Sequence, residues 1–149
     1  MKKDKNLKIA VEIYLKIQAY PSTLNSEEKR KLYWIAFGYI RKSAYSGNAE
    51  GQYEYAQQFD SVSFLGINNP LYDPKRCIYW YTKSANGGFA EAYNNLADFY
   101  ERGEGVKKDL LKSYELYKKG AELGSATAKS NLKIFEKDIK KGKYKLALL

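Results

Sequence analysis

Three short stretches of this chain share one pattern, and that repeat restricts the fold more than any other feature. They are Lys42-Ser-Ala-Tyr-Ser-Gly-Asn-Ala49, Lys83-Ser-Ala-Asn-Gly-Gly-Phe-Ala90 and Lys119-Gly-Ala-Glu-Leu-Gly-Ser-Ala126. Each reads Lys-x-Ala-x-x-Gly-x-Ala. Gly47 and Gly88 are 41 residues apart, and Gly88 and Gly124 are 36 apart. The unit is therefore about 36 residues long, with five more in the first copy. Self-similarity at this period marks stacked units that cannot each bury an apolar face alone.

The residues of the unit have separable physical roles. Gly47, Gly88 and Gly124 stand where a helix ends in a left-handed residue, which only glycine adopts cheaply. Alanines flank each turn (Ala44 and Ala49, Ala85 and Ala90, Ala121 and Ala126) and let two antiparallel helices approach closely. The helix after each turn carries an apolar stripe at helical spacing: Ala92, Leu96, Phe99 and Tyr100, then Ala128, Leu132, Phe135 and Ile139. Asp109, and Asp73 followed by Pro74, are placed as N-caps of second helices bearing Tyr114, Leu116 and Tyr117, or Ile78, Trp80 and Tyr81. No segment alternates with period two, so no sheet is expected. The pattern predicts an all-α chain of seven helices, near 5–19, 27–45, 48–60, 74–86, 89–102, 109–122 and 125–141. Pro21 is expected to close the first and Ser26 to cap the second.

Composition removes several functions. The 149 residues contain no histidine and a single cysteine, Cys77. The usual general base and the commonest transition-metal ligand are therefore missing, and no internal disulfide can form. No metal or other cofactor is expected. No apolar run is long enough for a membrane span, and Glu12, Lys16 and Gln18 interrupt the stretch after Met1-Lys2-Lys3 that would otherwise resemble a secretory leader. These features lead to an expectation of a cytoplasmic protein. The net charge of +9 is uneven. Residues 1–31 hold eight Lys/Arg against four Asp/Glu, residues 129–149 seven against two, and the middle is balanced. Basic ends suit the solvated caps of a repeat array or an anionic partner. Lys129, Lys133, Lys137 and Lys141 form one stripe on the last helix.

The run Ala92-Tyr-Asn-Asn-Leu96-Ala-Asp-Phe-Tyr100-Glu-Arg-Gly103-Glu-Gly105-Val106-Lys-Lys-Asp109, continued by Ser113, Leu116, Tyr117, Lys119, Ala121 and Gly124, resembles a Sel1-like repeat, a relative of the tetratricopeptide repeat. The resemblance implies a right-handed α-α superhelix in one domain spanning residues 1–149. Residues 1–29 would be an N-terminal cap, 48–88 and 89–124 full repeats, and 125–149 a C-terminal capping helix and tail. The copy at 48–88 departs from the pattern with Gly51 for the first alanine and Tyr55 for leucine. Cys77 stands where the family prefers alanine and is expected to be a small buried residue.

The same resemblance places the first helix of each pair on a concave face. The positions facing it would be Glu50, Tyr53, Gln57 and Asp60, then Glu91, Asn94, Asp98, Glu101 and Arg102, then Ser130 and Lys137. That groove is polar and mostly acidic, which suits a basic or polar peptide. The loop 61–72, with Phe64 and Leu65, either extends the binding surface or folds back over the widened gap. A non-catalytic protein-binding adaptor of a bacterial, cytoplasmic kind is the leading expectation, as a monomer or an end-to-end homodimer, with an immunity or antitoxin-like protein as a specific version. A binder of nucleic acid or membrane surface through the terminal lysines is the alternative. Nucleic acid is the less expected partner, because the lysine stripe lacks arginine and outward aromatics. A hydrolase is the third reading, because some Sel1-like proteins bear a beta-lactamase label. Ser26–Lys29 and Ser130–Lys133 have the Ser-x-x-Lys spacing, but the companion Ser-Asp-Asn and Lys-Thr-Gly elements are missing.

Overall fold

The computed structural model describes residues 4–19, 24–61 and 69–144. These form seven helices: α1 (Lys5–Ala19), α2 (Ser26–Tyr45), α3 (Ala49–Gln57), α4 (Pro74–Asn86), α5 (Ala90–Arg102), α6 (Leu110–Glu122) and α7 (Ala126–Lys140). No strand occurs among the described residues. Each helix packs on the next in the chain, and α5 also touches α7. This is a helical-repeat solenoid, as the repeat pattern predicts.

The turns form for the anticipated reasons. Gly47, Gly88 and Gly124 have φ of 87°, 85° and 98°. Asp73 accepts hydrogen bonds from the backbone N–H groups of Lys75 and Arg76, with Pro74 in the first turn, and Asp109 accepts from Lys112. Two details differ from the sequence expectation. The cap of α2 is Asn25, not Ser26. Asn25 accepts from Glu27 and Glu28 N–H while Glu28 reaches back to the Asn25 N–H, a complete capping box. The third helix ends at Gln57, not at residue 60. Gln58, Phe59 and Asp60 instead donate to the carbonyls of Tyr55, Ala56 and Gln57, which tightens the chain into a turn. Pro21 lies outside the described residues.

Small residues set how closely the helices approach, and the solutions differ between units. Ser43, Ser84 and Gly120 occupy the same position of the repeat, and Gly51, Ala92 and Ala128 follow eight residues later. A Cβ on Gly51 would lie 2.7 Å from the Ser43 Cβ and closer still to its Oγ. A Cβ on Gly120 would lie 2.9 Å from the Ala128 Cβ. Serine is thus matched with glycine in the first unit, serine with alanine in the second (Ser84 and Ala92) and glycine with alanine in the third. At Gly51, which departs from the repeat pattern, the space a side chain would need is filled by Ser43.

The core runs the length of the stack. Ala10, Ala36, Ile40, Ala56, Cys77, Tyr81, Ala92, Ala97, Phe99 and Phe135 are almost fully buried. The Cys77 Sγ lies 3.6 Å from the Ala56 carbonyl oxygen. Burial pushes its thiol up to about 12, so it is a packing residue and not a thiolate. Gln58, buried after α3, fastens the N-terminal helices. Its Oε1 accepts from the Tyr14 hydroxyl of α1 (3.3 Å) and the Tyr33 hydroxyl of α2 (3.0 Å), and its Nε2 donates to the Glu54 carbonyl. At the other end Tyr144 lays its ring on Phe135, 4.9 Å between centroids.

Candidate functional site

α3, α5 and α7 are the first helices of successive units, and their common face carries a polar depression of about 500 Å³. The turn after α3 supplies Asp60 and Ser61, α5 supplies Asn94, Asn95, Asp98 and Arg102, and α7 supplies Asn131, with Phe99 at the base. The placement follows from helical geometry. Leu96 and Phe99 point into the core, so Asn95, Asp98 and Arg102, which share the next stripe round the helix, point out of it.

A chain of hydrogen bonds holds the trough. The Asn131 amide donates to Asn94 Oδ1 (2.8 Å), Asn94 to Asn95 Oδ1 (3.1 Å), and Asn95 to the Tyr53 hydroxyl (3.5 Å). Three first helices are thereby cross-linked through side chains alone. On the neighbouring wall the Tyr81 hydroxyl donates to Asp60 Oδ2 (3.2 Å). Burial, followed by the nearby Asp60 charge, holds the Tyr81 hydroxyl well above the usual phenol range, so it remains a donor. The Tyr81 ring stands between Tyr53 and Phe99, at centroid distances of 5.6 and 6.1 Å.

The trough carries less net negative charge than a count of its carboxylates implies. Arg102 pairs with Asp98 at 2.6 Å and also with Glu104. Glu101 faces α6 and the C-terminal segment, where it accepts from the hydroxyls of Tyr117 (2.9 Å) and Tyr144 (2.6 Å). Tyr117 is raised by burial first and the Glu101 charge second, which keeps its proton in place. Glu50 lies elsewhere, in a smaller depression with Leu7, Lys8, Val11 and Glu12. Gln57 and Glu91 are half-buried on the flanks. Of the sequence candidates, Asp60, Asn94, Asp98 and Arg102 therefore meet in one place, with Tyr53 beneath. Phe64 and Leu65 lie outside the described residues. Ser61, Asn95 and Asn131 are additional members. Ser61 opens the 61–72 loop already named as a candidate, and Asn95 and Asn131 share one position of the repeat, three residues after Ala92 and Ala128, a register that could have found them.

Ser26 is an exposed residue in the first turn of α2, and Ser130 is exposed on α7. Among the described residues no group of three His, Cys, Asp or Glu side chains is placed to hold a metal ion. Among them, too, no helix is long and apolar enough to cross a membrane.

The model of the Sel1 repeat matches residues 49–89 and 90–125, which are more than half of the chain. The chain belongs to the Sel1 repeat family. Members of this family are helical scaffolds for protein interaction. The chain is 26% identical to a Sel1 repeat protein from Oxalobacter formigenes, whose crystal structure superposes with a TM-score of 0.59 over 83% of this chain and 87% of that one. The fold also matches the cysteine rich protein B of Helicobacter pylori, at 20% identity and a TM-score of 0.57, covering 88% of this chain and 98% of the other. Over 116 residues, 76% of its length, the chain is 24% identical to the "DAP3-binding cell death enhancer 1" of Rattus norvegicus. It spans only 20% of that protein.

Proposed function

We propose that this Sel1 repeat chain is a non-catalytic adaptor that holds a partner protein in the trough of α3, α5 and α7. The observation that carries the reading is continuity. Three first helices present one polar surface, pre-arranged by the hydrogen-bonded chain Asn131–Asn94–Asn95–Tyr53. A surface fixed before binding loses little entropy on binding. Amide and carboxylate groups at its floor and rim suit a basic or polar peptide segment, whose backbone and cationic side chains they can receive. The rat relative is named for binding another protein, which agrees with such a role. The 61–72 loop belongs to the same reading. Ser61 lines the trough, and Asn69 ties the loop's far end to Asp60 and Gln58 through their carbonyls.

The test is capture of a partner from a lysate by the immobilised chain. Asn94→Ala combined with Asp98→Lys is expected to abolish capture of a partner that the parent retains. Undiminished capture would rule the trough out. An immunity or antitoxin-like role is the specific version, and a toxin encoded beside this chain would support it. A second reading follows from Lys129, Lys133 and Lys137, all exposed on α7. It predicts DNA or RNA binding that falls steeply as salt rises. No mobility shift at low salt would dismiss it.

A further inference from the structure

A second depression, of about 540 Å³, opens between α2 and α4. It is a different surface from the trough. Tyr53 serves the trough and Tyr55 the second depression, and two positions on a helix are separated by about 200° of rotation. Trp34, Phe37 and Tyr45 come from α2, and Tyr79 and Trp80 from α4. Tyr55 and Phe59 form the floor, buried to 6% and 3% exposure. The rings interlock: Tyr45 lies 5.1 Å from Trp80, Tyr55 lies 5.0 Å from Trp80, and Phe37 lies 5.6 Å from Tyr55. The upper rings stay open to solvent. Trp34 is 49% exposed, Tyr45 66% and Tyr79 54%.

The charge of this groove is of one sign. Its lining contains Arg41 and Arg76 and no carboxylate. Arg41 rests over the Tyr45 ring at 5.5 Å and has no carboxylate partner among the described residues. Arg76 lies over Phe59 at 5.1 Å, its Nε 3.4 Å from the Asp73 carboxylate. Lys83 sits at the rim over Tyr79, at 5.2 Å. Guanidinium groups stacked on rings are held in place while their N–H edges remain free to meet carboxylates.

We propose that this groove is a second docking surface, for a peptide segment of a partner protein that carries large apolar side chains beside acidic residues. The volume suits a few side chains, being within the roughly 300–1,000 Å³ of ligand pockets. Trp, Tyr and Arg are the residues that dominate binding energy at protein interfaces. The positive rim selects acid, and the interlocked rings accept apolar groups between them. A single-stranded nucleic acid fits less well. Base stacking needs open ring faces, and Arg41 and Lys83 each take one face of Tyr45 and Tyr79, while Phe59 is buried.

The experiment is selection of short random peptides displayed on phage against the immobilised full chain, with the Trp34→Ala, Arg41→Glu double variant as the counter-screen. Circular dichroism of the double variant checks that it folds, as expected for two exposed positions. The expected result is enrichment of peptides combining Asp or Glu with Trp, Phe or Leu. Their affinity should fall by about tenfold or more in Arg41→Glu alone, and to a similar extent when their acids are changed to amides. Asp98→Lys, in the trough, should leave them unaffected, so failure of the trough reading is seen separately. Enrichment without acidic bias, or equal binding by the double variant, would overturn the proposal. So would tighter binding of oligothymidylate that competes with the peptides.

Discussion

The two depressions treat charge in opposite ways, although adjacent residues of one helix build both. On α4, Trp80 faces the aromatic groove and Tyr81 the polar trough. In the trough, carboxylates are occupied by the chain's own donors: Asp60 by Tyr81, and Asp98 by Arg102. In the groove, cations lie on rings and no carboxylate lines the wall. The overall charge of +9 describes neither surface. Local sign depends on which helical face a charge occupies and on whether a partner four residues away neutralises it.

The comparison breaks most completely at Tyr81. Tyr81→Ala removes a fully buried ring between Tyr53 and Phe99 and should cost about 3–5 kcal/mol in denaturant unfolding. Both surfaces should be lost together. Gly51→Ala comes next. Its methyl group would collide with Ser43 on the preceding helix, at an expected cost of about 1–3 kcal/mol. The double variant Ser43→Gly, Gly51→Ala copies the Gly120–Ala128 contact and should recover most of that loss. Recovery that does not occur would show that the contact is not the cause.

Tyr81→Phe keeps the ring and deletes the bond to Asp60. A loss of about 1 kcal/mol is expected, with trough binding weakened and groove binding unchanged. Glu54 provides a pH test. Burial first, and the Glu50 charge second, raise its carboxyl above the usual range. The folded state therefore holds this proton more tightly than the unfolded state. Its favourable contribution is complete below the ordinary carboxylate range and is lost as pH rises through the raised value. Glu54→Gln should accordingly be more stable than the parent at neutral pH, with the difference vanishing in acid. The smallest effect is expected at Arg102. Its ion pairs are about half exposed, so Arg102→Ala should change stability by less than about 1 kcal/mol. It should nevertheless make the trough more negative and tighten a basic peptide.

Part of the candidate site could be read from the sequence because the repeat gives each position an address. Asn94, Asp98 and Arg102 follow from the family resemblance, which puts the off-stripe face of the first helix in the groove, and Asp60 joins them from the turn after α3. Glu50 and Glu101 fit the same resemblance but have other neighbours, α1 for Glu50 and Tyr117 with Tyr144 for Glu101. The aromatic groove had no such signal. Trp34, Tyr45 and Tyr79 lie off the core stripe of their own helices, and nothing in one helix says which rings of the next-but-one helix stand opposite.

The sequence by itself determined the helices, their glycine turns, their aspartate caps and the repeat that stacks them. These are consequences of backbone conformation and of periodicity within a few residues, which the local chain settles. Only the tertiary structure decided which off-stripe residues meet. Asn131 reaches Asn94 across 37 positions, Asn95 reaches Tyr53 across 42, and Tyr144 reaches Glu101 across 43. Those meetings depend on the rotation and spacing from one helix pair to the next, which the packing of the whole stack sets and no single repeat contains.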